Sequence, residues 1–600
     1  MNVQMNLAAY LRPPVMKNRR YLPAETPVSL FPTLLFPVLP FILSCISSAC
    51  VAGETGRVDP STMHGKMLCG YQGWFTTDGS DGARIQWMHQ GNSPEKFGLD
   101  IWPDTSELDD DEKYETEFRH ADGSPACLFS SMNEKTVVRH FQWMRENGID
   151  GVFLQHFTSA MKDPRVIEIR EKVIANVRKG AERYGRCWAL MYDISGMGDD
   201  DVEKYMIPHW KQMIDEKKIT RDAMYLHHGG KPVLGVWGVG FQNKATPDAC
   251  NRLLDFLKND PKYGGNTLVV GVPVLWRQDQ TPRADHLPAF MNDNRAEIRD
   301  GRYRWRSHDA EPPHWATLTF PEPVAVNVMR VVAGDFGNED AMRDFVLQYE
   351  QQGTWIDIEE TRQIDNEEKD RRVAFPETTA SKFRLWITET PKNEAGIWEW
   401  ALYRLENGLA SLDDTVLRNP EKNLSTRASV EVSSIAGADP VKIAAFEKSD
   451  VILPWVVGFY SGPDRLEKYM NDVVPGDIVL CRERGQEFIP VVFPGFSWHN
   501  LMKGRGREEK LGAIPRRKGD FLIEQIRAHL ATDARMMYVA MFDEMDEATC
   551  IFKTTDNPPP GTPLLDMEGE PSDRYLKIVG YASKALKRKE AKLKTENGRR

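Results

Sequence analysis

The stretch MMYVAMFDEMDEAT, residues 536–549, passes directly from an apolar run to four carboxylates within five positions. It contains the last of eight short apolar runs, and helical patterns separate most of them. Continuous apolar strands that alternate with helices are typical of a parallel sheet covered on both faces. Because the count closes at eight, we predict an α/β fold with a (β/α)8 TIM barrel. The runs lie at 67–75, 151–157, 187–196, 231–240, 267–277, 450–460, 488–500 and 536–544.

An open, doubly wound sheet is the alternative, because it also alternates strands with helices. No Gly-x-Gly-x-x-Gly fingerprint follows the first run, which favours the barrel. Apolar residues three and four positions apart predict the intervening helices. These helices are expected at 137–148, 166–185, 202–214, 248–260, 464–474 and 520–534.

The spacing of the runs breaks once, between the fifth and the sixth. A plain loop as long as residues 278–449 is not expected in a compact domain. Within it the sequence changes to two-residue alternation with Pro, Gly and Asn turns, which predicts an all-β jelly-roll sandwich. The predicted domains are therefore 53–284 (first part of the barrel), 285–437 (inserted sandwich), 438–572 (second part of the barrel) and 573–600 (basic helix or tail, expected to be solvated).

The N-terminal segment has the pattern of a secretory signal. Lys17, Arg19 and Arg20 precede an apolar run at 30–49, and small residues follow it. This predicts a signal peptide over 1–52 and a secreted or periplasmic protein. A membrane anchor is the alternative, because the run is just long enough to span a bilayer. Three prolines within the run favour cleavage, so we expect no stable membrane span.

Composition narrows the class of partner. The net charge of −11 argues against nucleic acid, whereas 16 Trp and 17 Tyr suit a protein that stacks rings on sugars. Beyond Cys45 and Cys50, the cysteines are scattered without a Cys-x-x-Cys motif, so neither a zinc ribbon nor a dense disulfide framework is indicated. We predict a monomer whose cysteines are buried as small apolar residues.

The active site of a (β/α)8 barrel lies at the C-terminal ends of its strands, so the residues just past each run are the candidates. Aromatic rings that stack on sugars, together with two acids, are what glycosidic cleavage requires. We predict Glu544 and Glu547 as the catalytic pair. The predicted substrate contacts are Tyr71, Gln72, Trp74, His156, Tyr192, Asp193, Trp237, Trp276, Arg277, Trp455, Tyr460, Trp498, His499, Asp543 and Asp546.

Several of these residues also have a structural interpretation. A Trp in a strand is often core, a His is often a hydrogen-bonded structural residue, and Asp193 could cap a helix. Calcium is the alternative for the acidic stretch, but the spacing lacks an EF-hand pattern, so we predict no metal and no cofactor. Glu544 and Glu547 would converge only if the chain turns after Phe542. They would then repel each other, and one would hold its proton near neutrality.

Four stretches resemble glycoside hydrolases of the family 71/99-like group, which includes endo-α-mannanases. These are GYQGWF (70–75), GVPVLWR (271–277), ILPWVVGFY (452–460) and FDEMDEAT (542–549). The last corresponds to the family's Asn-Glu-Trp-x-Glu-Gly-Thr: Glu544, Glu547 and Thr549 match, whereas Asp543 replaces the Asn. The resemblance implies that Glu547 is the general acid/base and that Glu544 deprotonates the sugar 2-hydroxyl. That hydroxyl would attack the anomeric carbon through an epoxide-like intermediate, with net retention.

Residues 298–405 resemble the F5/8 type C, or discoidin-like, sandwich. The resemblance rests on HWATLTFPEPVAVNVMRVV (314–332), FVLQYEQQGTWIDI (345–358), KFRLWIT (382–388) and IWEWALYRLE (397–406). The stretch NLSTRASVEVSS, typical of the opening strand of such domains, comes last at 423–434, which predicts a permuted order. Two functions follow. One is a secreted retaining glycoside hydrolase for an α-linked, mannan-like polysaccharide, and the alternative is a non-catalytic carbohydrate-binding protein that uses the insert.

Overall fold

The computed structural model describes residues 56–77, 91, 93–241, 245–279, 286–295, 304–308, 311–333, 342–390, 393–437 and 439–597. The predicted signal peptide, 1–52, lies outside these residues. None of the helices found among the described residues is both long and apolar enough to cross a membrane.

The strands follow in chain order. They are β1 (Met67–Tyr71), β2 (Tyr114–Arg119), β3 (Pro125–Leu128), β4 (Gly151–Phe157), β5 (Cys187–Asp193), β6 (His227–His228), β7 (Lys231–Trp237), β8 (Thr267–Pro273), β9 (Trp305–Arg306), β10 (His314–Ala333), β11 (Asp344–Gln351), β12 (Thr354–Asp357), β13 (Asp370–Glu389), β14 (Gly396–Tyr403), β15 (Ser429–Val432), β16 (Val451–Trp455), β17 (Glu487–Phe488), β18 (Val491–Val492) and β19 (Met537–Val539).

The helices are α1 (Glu134–Asn147), α2 (Pro164–Tyr184), α3 (Ile207–Asp215), α4 (Pro247–Asn259), α5 (Asp414–Leu417), α6 (Pro440–Glu447), α7 (Pro463–Asp472), α8 (Val474–Glu483), α9 (His499–Lys503), α10 (Asp520–Leu530) and α11 (Arg574–Asn597). Their ends follow local chemistry. Asn133 and Asp163 accept N-terminal amides of α1 and α2, and the left-handed Gly148 and Gly185 end these helices. Gly148 is the last residue of the helix predicted at 137–148, and it ends α1 in the structure.

Each of the eight predicted runs contains a strand of one curled parallel sheet. Its order is β17-β16-β8-β7-β5-β4-β1-β19-β18, with β6 pairing antiparallel to β7. The two ends of this path are consecutive pieces of one segment, 487–492. The Ile489 N–H donates to Ile452 O at 3.0 Å, and the Tyr538 N–H donates to Pro490 O at 2.9 Å. Pro490 has no N–H to donate, and the pairing changes sides there.

The strands β9–β15 form a separate antiparallel sheet. Its order is β12-β11-β13-β10-β14-β9, and β15 also pairs with β10. The register between β10 and β13 shifts between Thr319 and Val324, where Pro321 and Pro323 interrupt the ladder. In the chain, these strands all lie between β8 and β16, which pair with each other in the parallel sheet. The sheet encloses its own core, which includes Phe345, Leu347, Phe383, Leu385 and Trp400.

The described cysteines are free, and all but the half-buried Cys127 are buried, which confirms the prediction for them. The C-terminal helix differs from the prediction. Leu576, Val579 and Leu586 of α11 are buried in the main core, so this helix packs on the body and is not solvated on all sides. Its apolar positions recur at helical spacing, which gives it one buried face.

Asp150 connects α11 to the parallel sheet. Its carboxylate is fully buried and accepts the Met67 N–H at 3.0 Å and the Ser583 hydroxyl at 2.6 Å. Its other oxygen lies 2.6 Å from Lys587 Nζ. One side chain thus joins β1, the start of β4 and the C-terminal helix.

We expect Asp150→Ala to lower the apparent Tm, because it leaves a buried amide and a hydroxyl without an acceptor. Such a loss costs about 2–4 kcal/mol. Thermal unfolding followed by circular dichroism measures it. Lys592→Ala is the control: its pair with Glu596 is exposed on the same helix and should leave Tm unchanged. An unchanged Tm in Asp150→Ala would contradict this role.

Candidate active site

The predicted site residues follow strands whose C-terminal ends meet at one edge of the parallel sheet. Tyr71 of β1 pairs with Leu154 of β4, and Asp193 of β5 pairs with Trp237 of β7. The acidic stretch 543–547 follows β19, which is the neighbour of β1. The structure therefore brings the ends of β1, β4, β5, β7 and β19 to the same edge.

Asp543 holds the end of β1 against the end of β19. Its side chain is fully buried, and its two oxygens accept the N–H groups of Gln72 at 2.7 Å and Gly73 at 2.8 Å. Burial raises the pKa of Asp543 to about 7, although the two hydrogen bonds oppose the shift. The predicted contact of Asp543 with substrate is wrong, because both oxygens bind the main chain.

The turn at residues 72–73 is also fixed by its neighbours. Arg170 Nη1 donates to the carbonyls of Gln72 at 2.7 Å and Gly73 at 3.0 Å. Gly73 has φ +58°, which favours glycine. Gly70 permits close approach of the two strands, because a Cβ there would lie 2.2 Å from Tyr538 Oη. Arg170 is a supporting residue that the sequence analysis missed, since α2 gives no local sign that it reaches this turn.

Glu544 is buried and oriented by two donors. Gln72 Nε2 donates to Oε1 at 2.6 Å, and the Thr549 hydroxyl donates to Oε2 at 2.5 Å. Burial raises the pKa of Glu544 well above its usual range, and repulsion from Glu547 and Asp546 adds to the shift. The hydrogen bonds from Thr549 and Gln72 oppose it. The Gln72 amide thus contacts Glu544 while its own main chain binds Asp543.

Glu547 is less buried than Glu544 and lies on the turn 545–548. Burial raises the pKa of Glu547 to about 8, and repulsion from Asp546 contributes. The Ser497 N–H donates to the Glu547 carbonyl at 2.9 Å, which ties this turn to the segment after β18. The chain does turn after Phe542, and the mutual electrostatic effect of the two glutamates agrees with their predicted convergence.

The segment after β18 is organised by Asp100, which the sequence analysis also missed. Its carboxylate accepts the Ser497 hydroxyl at 2.5 Å, the His499 N–H at 2.5 Å and the Asn500 N–H at 2.7 Å. The Asp100 N–H in turn donates to Met545 O at 3.2 Å. This aspartate lies in a loop far away in sequence, and no local motif marks it.

Several predicted sugar contacts lie in the core, so a direct contact is wrong for them. Tyr71, Tyr192, Trp276 and Tyr460 are at most 1% exposed. The three tyrosine hydroxyls form hydrogen bonds with other side chains, and the Trp276 ring packs against another ring. The Tyr71 hydroxyl pairs with His140, that of Tyr192 with His209 and that of Tyr460 with Gln525, whereas Trp276 packs edge-on against Phe446.

The predicted substrate contact of Arg277 is also wrong. Its Nε donates to the buried carboxylate of Asp477 on α8 at 3.1 Å, so it is committed to the packing of that helix. Asp193 accepts the Ser195 N–H at 2.8 Å and so fixes the turn after β5. It is not the predicted helix cap, because Asp201 holds the N-cap position of the next helical turn. Burial raises the pKa of Asp193 to about 6.

The remaining aromatic residues line the same edge. Trp74, Trp455 and His499 are partly exposed, and Trp237 and Trp498 are nearly buried. Trp74 packs against Phe157 with centroids 5.1 Å apart, and Trp237 packs edge-on against Trp455 at 5.3 Å. His156 stacks on His209 at 4.4 Å, and burial holds its pKa well below the usual range, so its ring is neutral.

Buried polar atoms cluster at the same edge without a hydrogen-bond partner among the described residues. They are Gln72 Oε1, Gln155 Oε1, His156 Nε2 and Trp237 Nε1. Such atoms are uncommon in folded proteins unless water or a ligand satisfies them. The set contains two amide oxygens, which accept, an indole N–H, which donates, and one imidazole nitrogen.

Comparisons with known proteins give matches for both parts of the chain. Residues 283–403 match the family model of the F5/8 type C domain, which confirms the resemblance of that segment. Two structures of the GH99 endo-alpha-mannosidase from Bacteroides thetaiotaomicron are similar, with TM-scores of 0.44 and 0.45 and identities of 10% and 11%. They cover 88% of this chain and 100% and 99% of theirs.

A family 32 carbohydrate-binding module from Streptococcus pneumoniae EndoD is also similar, with a TM-score of 0.18 and 18% identity. It covers 21% of this chain and 90% of that one. No curated protein sequence matches the chain. At these TM-scores the assignment of an activity has to rest on the side chains of the site.

We expect Asp543→Ala to lower Tm strongly, because it leaves the amides of Gln72 and Gly73 buried without an acceptor, at a cost of about 2–4 kcal/mol. Asp543→Asn keeps one acceptor oxygen and should fall between wild type and Asp543→Ala. Thermal unfolding gives the order. Asp533→Ala, at an exposed aspartate, is the control. Equal Tm values for wild type and Asp543→Ala would contradict the role of Asp543 in holding the main chain at Gln72 and Gly73.

Proposed function

We propose that this protein is a secreted, retaining glycoside hydrolase that cleaves an α-linked, mannan-like polysaccharide by substrate-assisted catalysis. The observation that carries the proposal is the pair Glu544 and Glu547. Both carboxyls have raised pKa values, and they influence each other electrostatically. A carboxyl group that keeps its proton near neutral pH can act as the general acid of glycosidic cleavage, which uses a pair of carboxyl groups. The proposal requires no metal and no cofactor.

The supporting architecture is a (β/α)8 barrel assembled from residues 53–284 and 438–572, with the sandwich 285–437 inserted between its fifth and sixth strands. In such a barrel the edge that holds Glu544 is the C-terminal face, where active sites form. The C-terminal helix α11 packs on this body through Leu576, Val579 and Leu586. The N-terminal segment 1–52 would direct the chain out of the cytoplasm.

Glu547 serves as the general acid in the first step. It gives its proton to the glycosidic oxygen as the bond from that oxygen to the anomeric carbon breaks. Its pKa of about 8 leaves it protonated near neutral pH, which the role requires. Its partly exposed position also gives it access to a departing sugar.

Glu544 serves as the base in the same step. It takes the proton of the sugar 2-hydroxyl, whose oxygen then bonds to the anomeric carbon and forms an epoxide-like intermediate. Both of its oxygens accept hydrogen bonds, from Gln72 and Thr549, which stabilise the ionised form. Burial is the largest cause of the raised pKa of Glu544, and repulsion from Glu547 adds to it. The two hydrogen bonds and a protonated Glu547 oppose that shift and favour the charged form that the base needs.

Water opens the intermediate in the second step. Glu547, now ionised, takes a proton from the water, and the oxygen of that water attacks the anomeric carbon. The former 2-oxygen leaves and recovers its proton from Glu544. Each step inverts the anomeric carbon, so the product retains the configuration of the substrate.

We expect Glu547→Gln to lower kcat/KM on polysaccharide by about 10²–10⁴-fold, because the leaving sugar loses its proton donor. An aryl glycoside whose leaving group is stable as an anion should restore the first step. Glu544→Gln should abolish turnover of both substrates. Asp533→Ala is the control. Hydrolysis by both glutamine variants at the wild-type rate would refute the assignment.

The pH dependence should follow Glu547. The active form carries its proton, so kcat/KM of the free enzyme should fall as pH rises through about 8. Rates measured on polysaccharide from neutral pH to alkaline pH give this fall in kcat/KM. With the aryl glycoside the fall should be smaller, since the first step on that substrate needs no acid. A constant rate on polysaccharide up to pH 10, about two units higher, would contradict the role.

Glycan binding without hydrolysis is the second candidate, and the match of residues 283–403 to the F5/8 type C domain favours it. A hydrolysis screen on a polysaccharide array separates the two. Binding with no cleavage of any polysaccharide would support the second candidate. Cleavage that depends on Glu544 and Glu547 would support the first.

A further inference from the structure

A second polar cluster lies at the opposite edge of the parallel sheet, away from Glu544. It consists of His64, before β1, His228 of β6 and Glu487, the first residue of β17. His64 Nε2 lies 2.6 Å from Glu487 Oε2, and His228 Nε2 lies 2.7 Å from Glu487 Oε1. Three distant parts of the chain thus converge on one carboxylate.

The residue types are those of a transition-metal site. Two imidazoles and one carboxylate bind Zn²⁺ in known enzymes, where the ion keeps an open position. The three ligand atoms lie within 4.8 Å of one another. A tetrahedral Zn²⁺ at about 2.1 Å from each atom needs them about 3.4 Å apart. The imidazoles need to withdraw from Glu487 by less than about 1 Å, which its partly exposed side chain permits.

The hydrogen bonds of His228 show which ring nitrogen carries its proton before an ion binds. The Met63 N–H donates to His228 Nδ1 at 3.2 Å, so the neutral His228 ring carries its proton on Nε2 and donates it to Glu487. To bind an ion, His228 takes the other tautomer, in which Nδ1 no longer accepts the Met63 N–H, so the ring has to turn its Nδ1–H away from that amide. Its Nδ1–H then faces the Thr62 hydroxyl, 3.4 Å away, as its acceptor. A second ring hydrogen bond of this kind is usual for metal-bound histidines.

The cluster can be reached from solvent through its own partly exposed side chains. His64 also lines a surface pocket of about 470 Å³, but basic residues such as Arg57 and Lys66 line that pocket as well, and His228 and Glu487 lie outside its lining. The side chains of His64, His228 and Glu487 are 16%, 11% and 35% exposed, so no core rearrangement is needed to reach them.

We propose that His64, His228 and Glu487 form a binding site for one divalent transition-metal ion, with Zn²⁺ as the favoured ion. The site ties the segment before β1 to the β6–β7 hairpin and to the start of β17. It lies at the edge of the sheet opposite the glutamate pair, so its role is structural. It is independent of the proposed hydrolysis.

Zinc titration of the full-length chain tests the site. The protein is dialysed against EDTA and then against buffer, and Zn²⁺ is added in a calorimeter. We expect one Zn²⁺ per chain and a rise in Tm of about 2–4 °C at saturation. His64→Asn and Glu487→Gln should each weaken the affinity by about 100-fold or more, and Thr62→Val by about 10-fold.

Asp111→Asn is the matched control. Among the described residues, Asp109, Asp111 and Glu112 form the other group with ligand-like spacing; the two aspartates are exposed and Glu112 is buried. Loss of stoichiometry in this variant with full binding in His64→Asn would place the ion there and overturn the proposal. Absence of Zn²⁺ binding to the wild type would overturn it as well. Circular dichroism checks folding, and if Glu487→Gln unfolds, the partly exposed His64→Asn decides.

Discussion

The acidic stretch after β19 depends on one constraint: a fully buried aspartate must find donors for both oxygens. Asp543 finds them in the main-chain amides of Gln72 and Gly73. Those two hydrogen bonds fix the end of β1 and present the Gln72 side chain to Glu544. A carboxylate is costly to bury without partners. Because Asp543 binds the main chain of Gln72, the Gln72 side chain is placed where it donates to Glu544.

The order of the site follows from that contact. Arg170 donates a hydrogen bond to a carbonyl of the same turn, and the Asp100 carboxylate accepts hydrogen bonds from the segment that follows β18. Three loops that are distant in sequence thereby meet around the turn 545–548. Charge repulsion among Glu544, Asp546 and Glu547 is retained in the interior, and it accounts in part for the raised pKa values of both glutamates.

The sequence predicted the elements well where periodicity and capping decide them. The strand at 151–157 has the predicted bounds, and α1 ends within one residue of the predicted end but begins at Glu134, before the predicted start at 137. The strands at 488–500 and 536–544 are much shorter than predicted, because Pro490 interrupts one and the other turns away to build the site. Apolar content alone does not distinguish a strand from the buried loop that continues it.

The site was predictable in its acids and not in their neighbours. Glu544 and Glu547 stand out because acids follow a buried strand. Tyr71, Trp276 and Tyr460 have the composition of sugar contacts, yet they face the core, and no residue type reveals which face a side chain takes at a strand end. Asp100 and Arg170 act over hundreds of positions or from a helix face, so only the fold reveals them. The fold alone likewise brings together the residues of the proposed Zn²⁺ site, since residues 64, 228 and 487 share no motif.

The central claim is that Glu544 and Glu547 cleave an α-glycosidic bond with retention. Proton NMR of an α-linked mannan oligosaccharide, recorded as wild-type enzyme is added, tests it most directly. The α-anomer of the new reducing end should form first and then mutarotate, and neither anomer should form with Glu544→Gln. A β-anomer that forms first, or the same product formed by Glu544→Gln, would contradict the account.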